Sequence, residues 1–283
     1  MTDLIDLHTH STASDGGLSP TELVALAART DLAAVALTDH DTVAGVDEAL
    51  AAGETHDLEV VPGIELSAAH DLPGHVHVLG LLIDHRHPAL TEVMGKIVAS
   101  REERNLTILD KLGQMGLTVT PEEVAAISLR GNTGRPHIGQ ALVNRGYVAS
   151  LNEAMERYIG NQAPAYADRW KLTMEEAIRL IHAAGGAAVL AHPIQMGLEA
   201  VKTRAVVTEL KEQGLDGVEV FCPSQDEGFR QILAAMARDL DLIPTGGTDF
   251  HGAYKPDIKL GFGRGDLRNR LEMLDKLKER VGH

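Results

Sequence analysis

Short apolar runs alternate with amphipathic stretches along most of the chain. Runs at residues 4–7, 33–37, 59–62, 76–82, 187–190, 217–220 and 242–244 read as strands. A helix is expected over residues 20–28, with Ser19 as N-cap and Pro20 at its first position. A second, over 173–184, opens on Thr173 and closes near Gly185 and Gly186. Residues 202–213 and 228–239 supply two more. Seven short strands with helical crossovers predict an α/β fold around a mostly parallel sheet, open or closed into a barrel.

Residues 93–170 break that alternation. A single long helix is expected over 92–115, with Ile97, Arg101, Arg104 and Ile108 on one stripe by their three- and four-residue spacings. Residues 121–127, 136–145 and 151–158 follow as short helical pieces, with no strand among them. This stretch reads as a helical insertion in an α/β domain formed by residues 1–92 and 171–283.

Composition narrows the chemistry. Only 3% of the 283 residues are aromatic, so the core must be aliphatic. The lone Cys222 excludes a disulfide framework or a cysteine-rich metal site, and it is expected to have no role of its own. No apolar run reaches the ~18 residues of a membrane span. The opening MTDLIDLHTH has neither the basic nor the apolar region of a signal peptide, so a cytoplasmic protein is expected. A net charge of −15 argues against a non-specific nucleic-acid binder, and no stable duplex binding is expected. A small anionic substrate stays open, provided one site is locally positive.

The 14 histidines matter by position. His8 and His10 end the first strand, where alternation puts both side chains on one face, and Asp15 follows in the next loop. Asp39, His40 and Asp41 end the second strand, Glu65 the third, and His75 and His77 lie on the fourth. His192 follows the strand at 187–190, and Asp249 and His251 follow the last. Taken singly, each has an ordinary reading: a hydrogen-bonded structural histidine, a helix-capping Asp39, a surface Glu65. Taken together, they place ligand-type residues at nearly every strand end, on the edge where parallel α/β sheets bind ligands. Imidazole and carboxylate without thiolate suit zinc, manganese or iron. So many donors need more than one ion, an arrangement suited to in-line displacement at phosphorus.

His8-Thr9-His10, Thr38-Asp39-His40, Gly63-Ile64-Glu65, His77 before Gly80, Ala191-His192-Pro193 and Thr248-Asp249-Phe250-His251 resemble, in order, the motifs of the PHP (polymerase and histidinol phosphatase) phosphoesterases. Within the insertion, Ser100-Arg101-Glu102-Glu103-Arg104, Gly134-Arg135-Pro136-His137 and Tyr158-Ile159-Gly160 resemble the subgroup of 3′,5′-nucleotide bisphosphate phosphatases and 5′→3′ exoribonucleases. The resemblance implies a distorted (β/α)7 barrel and three divalent ions, manganese foremost, with iron or zinc as alternatives. It assigns His8, His10, Glu65 and Asp249 to the first ion; Glu65, His77 and His192 to the second; and Asp15, His40 and His251 to the third. His77 is preferred to His75 on the motif alone. Asp15, His40 and His192 are expected to take part in the chemical step, an in-line attack by hydroxide. The leaving oxygen would be protonated by a nearby imidazole or by a water on the ions.

Three dications, three carboxylates and one hydroxide would leave a local charge of about +2 within an acidic protein. Arg101, Arg104, Arg135 and His137 are expected to bind substrate, Arg135 beside a helix N-terminus that suits phosphate. Trp170 and Tyr166 are read as stacking or packing residues, and Arg264 as a turn residue. The expected activity is removal of the 3′-phosphate from nucleoside 3′,5′-bisphosphates, or release of 5′-mononucleotides from short 5′-phosphorylated RNA. The alternative is a small-molecule monoester phosphatase of the histidinol-phosphatase type, whose substrate has no second phosphate for the arginines.

Overall fold

The computed structural model describes residues 3–127 and 133–282. Its eight strands are β1 (Ile5–Asp6), β2 (Ala34–Leu37), β3 (Glu59–Ala69), β4 (His77–Leu81), β5 (Leu172–Thr173), β6 (Ala187–Leu190), β7 (Gly217–Phe221) and β8 (Ile243–Gly246). The first helices are α1 (Pro20–Arg29), α2 (Val46–His56), α3 (Pro88–Gln114), α4 (Pro121–Ile127) and α5 (Arg135–Asn144). They are followed by α6 (Leu151–Ala154), α7 (Met174–Ala183), α8 (Ala200–Glu212), α9 (Glu227–Asp239) and α10 (Leu271–Val281).

The chain forms two compact units, residues 1–91 with 172–283, and residues 92–171. In the first, the strands follow the order β1-β2-β3-β4-β6-β7-β8, with β5 paired to β3. The Leu7 amide donates to the Gly246 carbonyl at 3.3 Å, and the Asp249 amide to the His8 carbonyl at 2.9 Å. These bonds join the first strand to the last, so the sheet closes into a distorted barrel. Alternate positions on the strands build its packing. Ile5, Leu7, Ala36, Leu79, Val189 and Ile243 share one cluster with Leu274 and Leu277 of α10. Val35 and Leu37 point the other way, onto Leu23, Val24 and Ala49 of α1 and α2.

One expectation is corrected. Glu65 does not end its strand but lies within β3, which runs on to Ala69 by pairing with β4 over Gly63–Ser67 and with β5 at Ala68 and Ala69. β4 is antiparallel to both β3 and β6, and His77 stands at its amino end. Reversal of this one strand brings that amino end to the rim where the parallel strands present their carboxyl ends. The helices α2 and α10 were not expected from the pattern. Neither start has a side-chain cap: Gly45 precedes α2 and Arg270 precedes α10.

The second unit is helical. Ile108 and Leu112 of α3 pack with Val124 of α4, Ile138 and Leu142 of α5, and Ile159. The expected helix over 151–158 is instead α6 followed by a wider, π-type turn, Met155–Ile159.

Candidate metal centre

Glu65 is the hub of the barrel unit's polar cluster, and it is fully buried. One carboxylate oxygen, Oε1, lies 2.8 Å from His77 Nδ1 and 2.9 Å from His192 Nε2. The other, Oε2, lies 3.2 Å from His8 Nε2, 3.2 Å from His10 Nε2 and 3.0 Å from His40 Nδ1. Asp249 Oδ1 is 3.3 Å from His10 Nε2. Asp15 Oδ1 is 3.4 Å from His251 Nε2, and Asp15 Oδ2 is 3.9 Å from His40 Nε2. The structure thus brings together all nine residues expected as ligands. They group as His10–Asp15–His40–His251, His8–His10–Asp249, His8–Glu65–His192 and His40–Glu65–His77, each able to hold an ion. His75 stacks on His77 with ring centroids 6.3 Å apart, and it belongs to none of these groups among the described residues.

The donor atoms fit metal ions on a physical test. His8 Nε2, His10 Nδ1 and Nε2, His40 Nδ1, Glu65 Oε2 and His192 Nδ1 are buried without a hydrogen-bond partner. Such atoms are costly unless something coordinates them. Ring orientation agrees. His251 Nδ1 lies 2.8 Å from the Asp249 carbonyl, which only accepts, so Nδ1 carries the proton and Nε2 keeps its lone pair towards Asp15. The ionisable groups of the cluster shift one another in opposite directions. Burial alone would lower the His10 pKa, but Asp249 and Glu65 raise it to about 10. Burial would raise the Glu65 pKa, but His40, His8 and His77 hold it well below the usual range. Ion binding at His10 would compete with its proton.

Backbone strain marks the same residues. His192 has φ +26° and Asp249 φ +52°, both in territory that side chains rarely adopt. Buried carboxylates latch the loops. Asp6 accepts from the Thr248 amide at 2.8 Å and its hydroxyl at 2.6 Å, just before Asp249. Asp39 caps no helix. It accepts from the Ser11 amide at 2.8 Å and the Ser11 hydroxyl at 2.6 Å, fixing the loop between His10 and Asp15. Asp41 does the same for Ser67, beyond Glu65. Sequence reading missed Asp6, Glu219 and Lys255. Lys255 places its ammonium 2.6 Å from Asp249 Oδ2, and it follows His251 by four residues with no motif to announce it.

In the second unit, four guanidinium groups converge. Burial, together with the charges of Arg169, Arg135 and Arg101, lowers the Arg104 pKa to about 10. Arg104 Nε is buried without a partner. Arg135 donates to Asn161 Oδ1 at 2.9 Å and lies over the Tyr166 ring, 5.5 Å from its centroid. His137 Nδ1 accepts from the Gly134 amide at 3.1 Å, which leaves Nε2–H as a donor. Arg169 belongs to this group and was not singled out from sequence. Trp170 is 43% exposed. Arg264 bonds Asp257 and the Pro223 carbonyl in a turn.

A barrel whose rim gathers six imidazoles and three carboxylates has the donor set of a metal-dependent hydrolase. The PHP domain profile matches residues 6–159, and the chain belongs to that family. It is 38% identical over 251 residues to the 5′-3′ exoribonuclease of Haemophilus influenzae, covering 89% of this chain and 91% of the relative. It is 32% identical over 255 residues to the 3′,5′-nucleoside bisphosphate phosphatase of Chromobacterium violaceum, covering 87% of each. A Bifidobacterium adolescentis structure classed with the metal-dependent phosphoesterases aligns with a TM-score of 0.82 at 29% identity, over 99% of this chain and 98% of that one.

Proposed function

We propose that the chain is a phosphoester hydrolase acting on nucleotides. It removes the 3′-phosphate from nucleoside 3′,5′-bisphosphates or releases 5′-mononucleotides from short 5′-phosphorylated RNA. One observation carries the reading: the two oxygens of buried Glu65 face separate sets of imidazoles, as a carboxylate shared between ions requires. His8, His10, Glu65 and Asp249 would hold one ion, Glu65, His77 and His192 a second, and Asp15, His40 and His251 a third. Manganese is the first choice, with iron and zinc suiting the same donors. Bound there, divalent ions supply Lewis-acid polarisation of phosphoryl oxygens and a nucleophile at neutral pH.

The chain's own groups do the rest. Asp15, with its side chain 55% exposed, and His40, 24% exposed, are the solvent-facing members of the centre, where a phosphoester can reach it. His192 is buried and serves from behind as a ligand. The Lys255 ammonium keeps Asp249 Oδ2 occupied, so Asp249 presents only Oδ1 to the histidines. In the helical unit, Arg101, Arg104, Arg135 and Arg169, with the His137 Nε2–H, form the anion-recognition group. Their mutual repulsion, which depresses Arg104, is relieved by a bound phosphate.

A substrate panel tests both parts. Adenosine 3′,5′-bisphosphate, a 5′-phosphorylated RNA trimer, histidinol phosphate and an aryl phosphate are compared under one metal condition. The nucleotide substrates are expected to lead. Arg135→Ala should lower kcat/KM on the bisphosphate about tenfold or more and leave the aryl phosphate nearly unchanged. Turnover of histidinol phosphate alone would reject the reading. Equal losses on both phosphates would remove the arginines from recognition.

A further inference from the structure

Glu219 lies in the middle of β7, fully buried, and among the described residues belongs to none of the groups able to hold an ion. A carboxylate in such a place needs a hydrogen bond for each oxygen. It has both, and they come from two different ligand residues. Oε1 lies 3.0 Å from His8 Nδ1, and Oε2 accepts the backbone amide of His192 at 2.7 Å. Its own backbone carbonyl accepts from Gln225 Nε2 at 3.1 Å, which pins the strand at this position.

These contacts have different consequences. A carboxylate only accepts, so His8 must carry its proton on Nδ1, which leaves the Nε2 lone pair directed at Glu65 and Asp249. His192 holds a backbone conformation at φ +26°, ψ 65°, and the bond from its amide to Glu219 helps to hold it there. From that backbone, His192 Nε2 reaches Glu65 Oε1, on the other side of the hub from His8. We infer that Glu219 is a positioning residue that selects the metal-binding tautomer of His8 and at the same time fixes the strained backbone of His192. One group outside the ligand set thus tunes both sides of the Glu65 bridge. The inference rests on the proposed ligand roles of His8 and His192.

The isosteric Glu219→Gln variant separates tautomer from shape. The His192 amide is an obligatory donor, so the glutamine oxygen must face it and the glutamine NH2 must face His8 Nδ1. Nδ1 would then have to accept, which moves the proton to Nε2 and blocks its lone pair. The metal-depleted full-length protein and the variant are titrated calorimetrically with Zn2+. Long-range 1H–15N correlations are then recorded on 15N-histidine-labelled, zinc-loaded samples. The expected wild-type result is His8 zinc-bound through Nε2 with Nδ1 protonated. In Glu219→Gln, zinc affinity should fall about 10- to 100-fold while thermal unfolding remains cooperative. Zinc affinity within twofold of wild type, with the His8 signals unchanged, overturns the inference but leaves the metal centre standing. Should the variant fail to fold, the wild-type spectrum decides: His8 protonated at Nε2 overturns the inference. Wild-type protein that binds no zinc removes the centre itself, and the inference with it.

Discussion

Gly247 lies so close to His8 that a Cβ on it would sit 2.3 Å from the His8 Cβ and 2.5 Å from its amide nitrogen. Neither neighbour can retreat, because the Asp249 amide donates to the His8 carbonyl and Glu219 holds the His8 ring. Gly247→Ala should therefore destabilise the metal-free protein by about 1–3 kcal/mol, the usual range for overpacking. Urea denaturation measures this, and an unchanged midpoint would mean the chain relaxes more easily than its packing implies. The proposed ligands were legible at this scale because His8 and His10 obey strand alternation and their neighbours fall in recognisable tripeptides. The latches were not. Asp39 and Asp41 flank His40, and nothing in a sequence tells a carboxylate that holds a serine loop from one that holds an ion. Asp6 is harder still, since the Thr248 it binds is 242 residues away.

Among the secondary-structure elements, capped helices were read well and strand direction was not. Ser19 and Thr173 both form complete capping boxes, with Glu22 and Glu176, where the expected helices begin. α2 starts on Gly45 and buries mostly small residues, Ala49, Ala52 and Gly53, so its apolar stripe is faint. α10 does carry the period, in Leu271, Leu274, Leu277 and Val281, but no capping side chain announces its start. The reversal of β4 leaves no mark on hydrophobic alternation, which reads the same in both directions. α7 carries a pH-sensitive fastening: His182 Nε2 lies 2.8 Å from Asp216 Oδ2, and that bond raises the His182 pKa. A histidine raised on folding adds stability that is full below its unfolded pKa of about 6.5 and is lost as pH climbs through the folded value. The urea midpoint of wild type minus that of His182→Gln should therefore be largest at mildly acidic pH and shrink towards alkaline pH. A difference that stays constant with pH would refute it.

At the scale of the molecule, the histidine centre belongs to the barrel unit and the guanidinium cluster to the helical unit. The charge of −15 is therefore an average that hides a local cluster of positive charge. Elemental analysis should find close to three ions per chain. Chelation should abolish turnover and lower the thermal midpoint, because ions that bind only the folded centre stabilise it by mass action. Full activity in a metal-free preparation would contradict the proposed function.

The closure of β1 against β8 has a consequence for biosynthesis. His8 leaves the ribosome early, but Asp249 and His251 emerge only after most of the chain has been made. Until then the first strand has no partner along the edge that β8 will occupy, and the first histidines have nothing to share an ion with across the seam. Metal acquisition at the proposed centre would therefore be a late event, and an ion held at His8 and Asp249 together would report that the two ends of the barrel have met.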